Sequence, residues 1–191
     1  MTDELFLPPR SFAGIPLQAA PFDTARVVII PVPYDGTAEY KSGAREGPQA
    51  IIDASQYLEL YDAELDREIS AVGIHTLPEV QPLVSGPEFM VERVYGMAKY
   101  LIEKGKLWAM LGGEHSLTLG AVKAFHEKYP ELSVLQLDAH ADLRDEYEGT
   151  EYNHACAMRR IREHVKVASQ VGIRSVCREE SDFIKKAKLD E

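Results

Sequence analysis

Two short segments of this chain carry side chains able to hold a metal ion. The first reads Gly112-Gly113-Glu114-His115-Ser116 and the second Asp138-Ala139-His140-Ala141-Asp142. In the second, Asp138, His140 and Asp142 are spaced i, i+2, i+4, which in extended backbone puts them on one face, with the small Ala139 and Ala141 on the other. Carboxylates gathered this way repel one another unless a cation neutralises them. An oxygen and nitrogen donor set without sulfur suits Mn²⁺ or, less selectively, Zn²⁺, Co²⁺ or Ni²⁺, and a pair of such ions can activate one water. Taken singly, each piece has a plainer reading. A Gly-Gly pair after a strand makes a turn, a lone His115 can simply start a helix, and Asp-X-His-X-Asp can be a solvated acidic patch. Together, at the ends of consecutive strands, they point to a metal site.

The elements that must position these residues follow from periodicity. Val27–Val32, Leu107–Leu111 and Ser133–Leu137 are read as apolar runs; all three are expected as interior strands of a parallel sheet. Weaker strands are expected at Leu58–Tyr61 and Ser70–Leu77, and a further strand at Ser169–Ile173. Helices are expected from Pro48 to Gln56, with Ala50, Ile51 and Ala54 facing inward, and from Glu88 to Lys104, stopped by Gly105. Further helices are expected from Ser116 to Lys128, Asn153 to Glu163 and Arg178 to Ala187, with an irregular arm over Met1–Pro21. Strands alternating with helices specify an α/β domain around a mainly parallel sheet, whose ligands bind beyond the carboxyl ends of the strands. If Leu107–Leu111 and Ser133–Leu137 are neighbours, about 4.8 Å apart, His115 meets the Asp138–Asp142 cluster.

Composition narrows the function classes. The chain has 191 residues, with 45% hydrophobic, 27% charged and a formal net charge of −10. This acidity argues against nucleic acid as a partner and suits a small cationic substrate, although it also serves solubility alone. The two cysteines, Cys156 and Cys177, form neither a CxxC motif nor a disulfide framework. Met1-Thr2-Asp3-Glu4 lacks the features of a secretory signal, and no apolar stretch is long enough to span a membrane. A cytoplasmic protein with no membrane partner is expected.

The segments Gly-Gly-Glu-His-Ser and Leu137-Asp-Ala-His-Ala-Asp-Leu-Arg144 resemble the ureohydrolase family of arginases and agmatinases, agmatinases most of all. YDGTAEYKSGAREGP resembles the family's N-terminal loop, YNHACAMRRI the segment with its catalytic histidine, and QVGIRS a later strand. The resemblance covers nearly the whole chain. It implies a three-layer α/β/α sandwich and a homotrimer or homohexamer, with two Mn²⁺ ions per site. His115 and Asp142 would hold one ion, His140 the other and Asp138 both. His154 would be the catalytic proton-transfer residue, and Asn153 beside it would bind substrate. Glu114 stands where the family commonly has aspartate, and Ala155 where many members have glycine. The family's later Asp-X-Asp, which brings two more carboxylate ligands, has no counterpart in these 191 residues. Residues 1–191 are therefore expected to be the N-terminal portion of one ureohydrolase domain, C-terminally incomplete, with low activity alone.

The activity implied is manganese-dependent hydrolysis of a guanidino compound, agmatine to putrescine and urea. Guanidinobutyrate or arginine is the alternative substrate, and a non-catalytic binding or scaffold fragment the alternative class. Metal-bound water has its pKa lowered towards about 7, and the leaving amine needs a proton. A histidine titrates in the right range to supply it; without the resemblance, His154 would read as an ordinary exposed histidine at a helix start.

Overall fold

The computed structural model describes residues 10–189, so residues 1–9 of the expected N-terminal arm lie outside it. The elements in chain order are β1 (Val27–Val32), α1 (Gly47–Ser55), β2 (Tyr61–Asp62), β3 (Arg67–Glu68), β4 (Ile74–Thr76), α2 (Pro87–Glu103), β5 (Leu107–Gly112), α3 (Thr118–Lys128), β6 (Ser133–Leu137), α4 (Ala157–Ile161), β7 (Val167–Val171) and α5 (Arg178–Ala187). The fold is mixed α/β with parallel sheets. Two compact units divide it. Within the described residues, one is made of 10–35, 42–82 and 103–113, the other of 36–41, 83–102 and 114–189.

In the first unit β1 lies between β4 and β5, parallel to both. Its β-branched run is buried from Val28 to Val32, as expected of a central strand. The helix α1 starts at Gly47-Pro48, where proline's fixed φ suits the first turn. Its buried face is Pro48, Ile52 and Ser55, spaced i, i+4, i+7, and not the Ala50, Ile51 and Ala54 expected. The strand expected at Leu58–Tyr61 is a two-residue hairpin arm at Tyr61–Asp62, paired with Arg67–Glu68. At the end of β5 the second glycine of the Gly-Gly pair has a steric reason. A Cβ on Gly113 would fall onto the Tyr34 carbonyl oxygen.

In the second unit β6 and β7 form a two-stranded parallel sheet. β5 and β6 therefore belong to separate sheets, against the expectation that they pair as neighbours. Neither is an interior strand among the described residues. Both alternate in burial, and Leu137 is 75% exposed. An apolar run specifies that faces are to be buried; it does not specify which strand lies alongside. β7 begins two residues before its expected start, since Val167 and Ala168 pair with Ser133 and Val134.

One side of this unit closes over a core of Val91, Leu119, Val122, Ala141, Leu143, Met158, Ile161 and Val165. α2 presents Met90, Val91, Val94, Ala98, Leu101 and Ile102 as its buried stripe. α2 and α3 approach closely at Gly120. A Cβ there would collide with the Val91 carbonyl oxygen and lie 2.9 Å from the Tyr95 nitrogen. Because these obstacles are backbone, Gly120→Ala is expected to destabilise by about 1–3 kcal/mol, the usual cost of overpacking. A lower urea midpoint with unchanged m would register it; an unchanged midpoint would show that the helices can part without cost.

Candidate metal centre

The loop after β6 is built so that its acids face away from the core. Ala141 and Leu143 are each 1% exposed and pack in the cluster just described, while Asp142 between them, itself buried, lies outside that cluster and lines a cavity. Asp142 adopts a left-handed backbone with φ 51°, a conformation that aspartate tolerates better than most residues. Its carbonyl accepts from the Arg159 N–H at 3.1 Å. The next peptide is held by Glu180, whose Oε1 accepts from the Leu143 N–H at 2.9 Å and whose Oε2 accepts from the Cys177 N–H at 2.7 Å. Beneath the loop, the Gln170 amide donates to Gln136 Oε1 at 2.5 Å and to the Ala141 carbonyl at 2.8 Å.

His115, Asp138 and Asp142 come together. Each offers a donor atom, and these atoms lie within 4.8 Å of one another. His115 Nδ1 and Asp142 Oδ2 are 2.5 Å apart. Asp138 Oδ1 accepts from the His140 N–H at 2.8 Å. Burial alone would push the Asp138 carboxyl up. The His140 N–H, the His115 and His140 imidazoles and the Gln136 amide outweigh it and hold the group below its ordinary value. Asp138 is therefore an anion at neutral pH beside a second carboxylate. Two oxygen donors and an imidazole converging on one point fit a divalent cation.

His140 stands apart from this trio. Its side chain is 65% exposed, with Nδ1 3.3 Å from Asp138 Oδ1. The stretch is not a regular strand beyond Leu137, so the simple alternation expected for positions 138, 140 and 142 is broken by the left-handed Asp142. His154 opens a 3-10 turn, His154–Cys156, in which Asn153 is the N-cap and accepts from the Ala155 N–H. Asn153 itself is 1% exposed and is not among the residues lining the cavity, so its visible contact orients the turn that carries His154.

A cavity of about 520 Å³ is lined by His115, Asp138, His140, Asp142 and His154. Glu39, Glu114, Arg144, Tyr147, Cys177 and Glu180 also line it, and motif reasoning overlooked most of these. Glu180 had a legible signal, since Cys177-Arg178-Glu179-Glu180 has capping-box spacing at the start of α5 and the box is formed. The acidic loop after Arg144 behaves otherwise than a cation-binding patch would. Asp145 and Glu151 pair with the part-buried Arg160. Tyr147 donates to Glu39 Oε2 at 2.5 Å, which raises its phenol pKa, while the Arg144 guanidinium stacks on its ring at 4.3 Å. Both cysteines are free, and burial pushes the Cys156 thiol up to about 11, which leaves it unreactive. Among the described residues no helix is long and apolar enough to cross a membrane.

A profile of the arginase family matches residues 25–190. The chain belongs to the arginase family. It is 38% identical over 172 residues to the N(1)-aminopropylagmatine ureohydrolase of Synechocystis sp., covering 86% of this chain and 56% of that one. It is 31% identical to the agmatinase of Bacillus subtilis, covering 86% and 57% respectively. The crystal structure of agmatine ureohydrolase of Thermoplasma volcanium superposes with a TM-score of 0.76 at 33% identity, covering 88% of this chain and 61% of that one. The chain thus spans little more than half the length of the curated relatives it matches.

Proposed function

We propose that this arginase-family chain is the N-terminal part of one ureohydrolase domain, and that the protein hydrolyses a cationic guanidinoalkylamine to urea and an amine. The observation that carries this reading is the meeting of His115, Asp138 and Asp142 in a cavity that His154 also lines. His115, Asp138 and Asp142 would hold a metal ion, with His140 available at the rim. A bound ion would supply a nucleophile by lowering the pKa of water. Asp138 and Asp142 supply negative charge that also attracts the guanidinium group. His154 would exchange a proton with the departing amine as a general acid. Glu39 is positioned to meet a second cationic end of the substrate.

Of the substrates in this class, agmatine and N(1)-aminopropylagmatine share the guanidinobutyl end, and the higher identity to the Synechocystis relative favours the longer one. One observation favours a second reading. Arg144 also lines the cavity, and a guanidinium there suits a carboxylate-bearing substrate such as guanidinobutyrate or arginine. Manganese as the ion, a homotrimer or homohexamer and a cytoplasmic setting belong to the same proposal.

The test is urea release by the full-length protein, loaded with manganese, from the four guanidino compounds in parallel. The expected result is a kcat/KM for N(1)-aminopropylagmatine or agmatine well above those for guanidinobutyrate and arginine. The reverse ranking would move the tail contact from Glu39 to Arg144. No urea from any of them would refute the hydrolase reading.

A further inference from the structure

We propose that Thr37 and Glu114 form a relay that fixes which ring nitrogen of His154 carries the proton. The consequence for catalysis rests on the His154 role proposed above; the tautomer itself does not. Five contacts carry the inference. Thr37 Oγ1 lies 2.8 Å from Glu114 Oε1 and 3.0 Å from His154 Nδ1. The same oxygen accepts from the His154 backbone N–H at 3.0 Å. The Thr37 N–H donates to Glu114 Oε2 at 2.7 Å. Ser116 Oγ donates to Glu114 Oε1 at 2.6 Å. Thr37 is buried, so water does not compete freely for its hydroxyl.

A threonine hydroxyl has one proton to give and two lone pairs to fill. Glu114 faces Thr37 as an acceptor, since its Oε2 takes the Thr37 N–H and its Oε1 the Ser116 hydroxyl. If Thr37 gave its proton to His154 Nδ1, its oxygen would face Glu114 Oε1 with no proton between two acceptors. If it gives the proton to Glu114, every position is satisfied. The two lone pairs of Oγ1 then receive the His154 backbone N–H and the His154 Nδ1–H. The geometry therefore selects the Nδ1–H form of the neutral imidazole and leaves Nε2 as the atom that takes up and releases a proton. When the ring is protonated, Nδ1–H keeps its bond to Thr37 and the labile proton is on Nε2. Glu114 and Thr37 are thus positioning residues acting through His154, although 117 residues separate Thr37 from His154 in the chain.

Histidine ring ¹⁵N spectra of the metal-free full-length protein, recorded above the imidazole titration range, read this directly. In the wild type His154, identified by the signal lost in His154→Ala, should show a protonated Nδ1 and a bare Nε2. Thr37→Ser should keep that pattern. Thr37→Val should lose it, because the acceptor for Nδ1–H is gone. Glu114→Gln should also lose it, since an amide N–H can donate to Thr37 Oγ1 and release the hydroxyl proton towards Nδ1. In urea-release assays with manganese, Thr37→Val should lower kcat at least tenfold, within the roughly 10²–10⁴ contributed by acid–base groups, and Thr37→Ser should restore it. A wild-type His154 with protonated Nε2, or a pattern unmoved by both Thr37→Val and Glu114→Gln, would overturn the relay. If the ring pattern is as described but His154→Ala turns over like wild type, the relay stands and the shuttle reading fails.

Discussion

Asp138→Ala is expected to strip the protein of metal more completely than any other single substitution. The carboxylate is within reach of both imidazoles and of Asp142, and it is already ionised in the absence of a cation. Removing an outer-shell partner of a metal ligand costs about 10–100-fold in affinity, and loss of a ligand at the centre of the cluster should exceed that. Asp138→Asn separates charge from shape. It keeps an oxygen to accept the His140 N–H while removing the negative charge, so it should fold like wild type and still bind manganese poorly. Calorimetric titration with manganese, beside thermal melts of the metal-free proteins, checks both. Unchanged binding in Asp138→Ala would show that Asp138 is not a ligand and would leave His115 and Asp142 as the remaining pair of the trio.

Asp138 and Asp142 of this candidate centre were legible in sequence because their chemistry is local, whereas their meeting with His115 was expected from a β5–β6 pairing that does not occur. Asp138 and Asp142 sit in one pentapeptide, and the two small or apolar residues that anchor it, Ala141 and Leu143, are its neighbours. The central strand was legible for a similar reason, since Val28–Val32 is buried along its length and only β-branched and apolar residues suit that setting. Helix ends followed from single residues, as at Gly105, which takes a left-handed φ of 66° just past α2. What sequence could not supply was pairing over distance. β5 and β6 both look like core strands, yet they lie in different sheets, because nothing in an apolar run encodes its partner. The inward face of α1 was misjudged because alanine and isoleucine are tolerated on either side of a short helix, while Ile52 and Ser55 set the observed contact. The roles of Thr37 and Glu39, and the reach of Glu180 to the Leu143 N–H, depend on partners far away in the chain, to which no motif points.

His154→Ala should lower kcat by roughly 10²–10⁴, the usual contribution of an acid–base group, and leave metal content unchanged. The separation of the two effects follows from the geometry. His154 lines the same cavity as the acidic cluster but is not one of the three residues whose donor atoms converge. Its own contacts run the other way, to Thr37 through Nδ1 and the backbone N–H, and edge-on to the Tyr147 ring. The turn that carries it is closed by the Asn153 cap and does not need the imidazole, so the loss of the ring should cost little stability. A kinetic loss in kcat with nearly constant KM would mark a group that acts after substrate has bound. The pH profile sharpens the distinction, because removing a proton-transfer group should also remove the ionisation it contributes to kcat. Metal analysis of the purified variant, run with the kinetics, guards against a trivial cause. Wild-type kcat with an unaltered pH profile would reduce His154 to a residue that merely begins a turn, and the proton for the departing amine would then have to come from solvent or from another group lining the cavity.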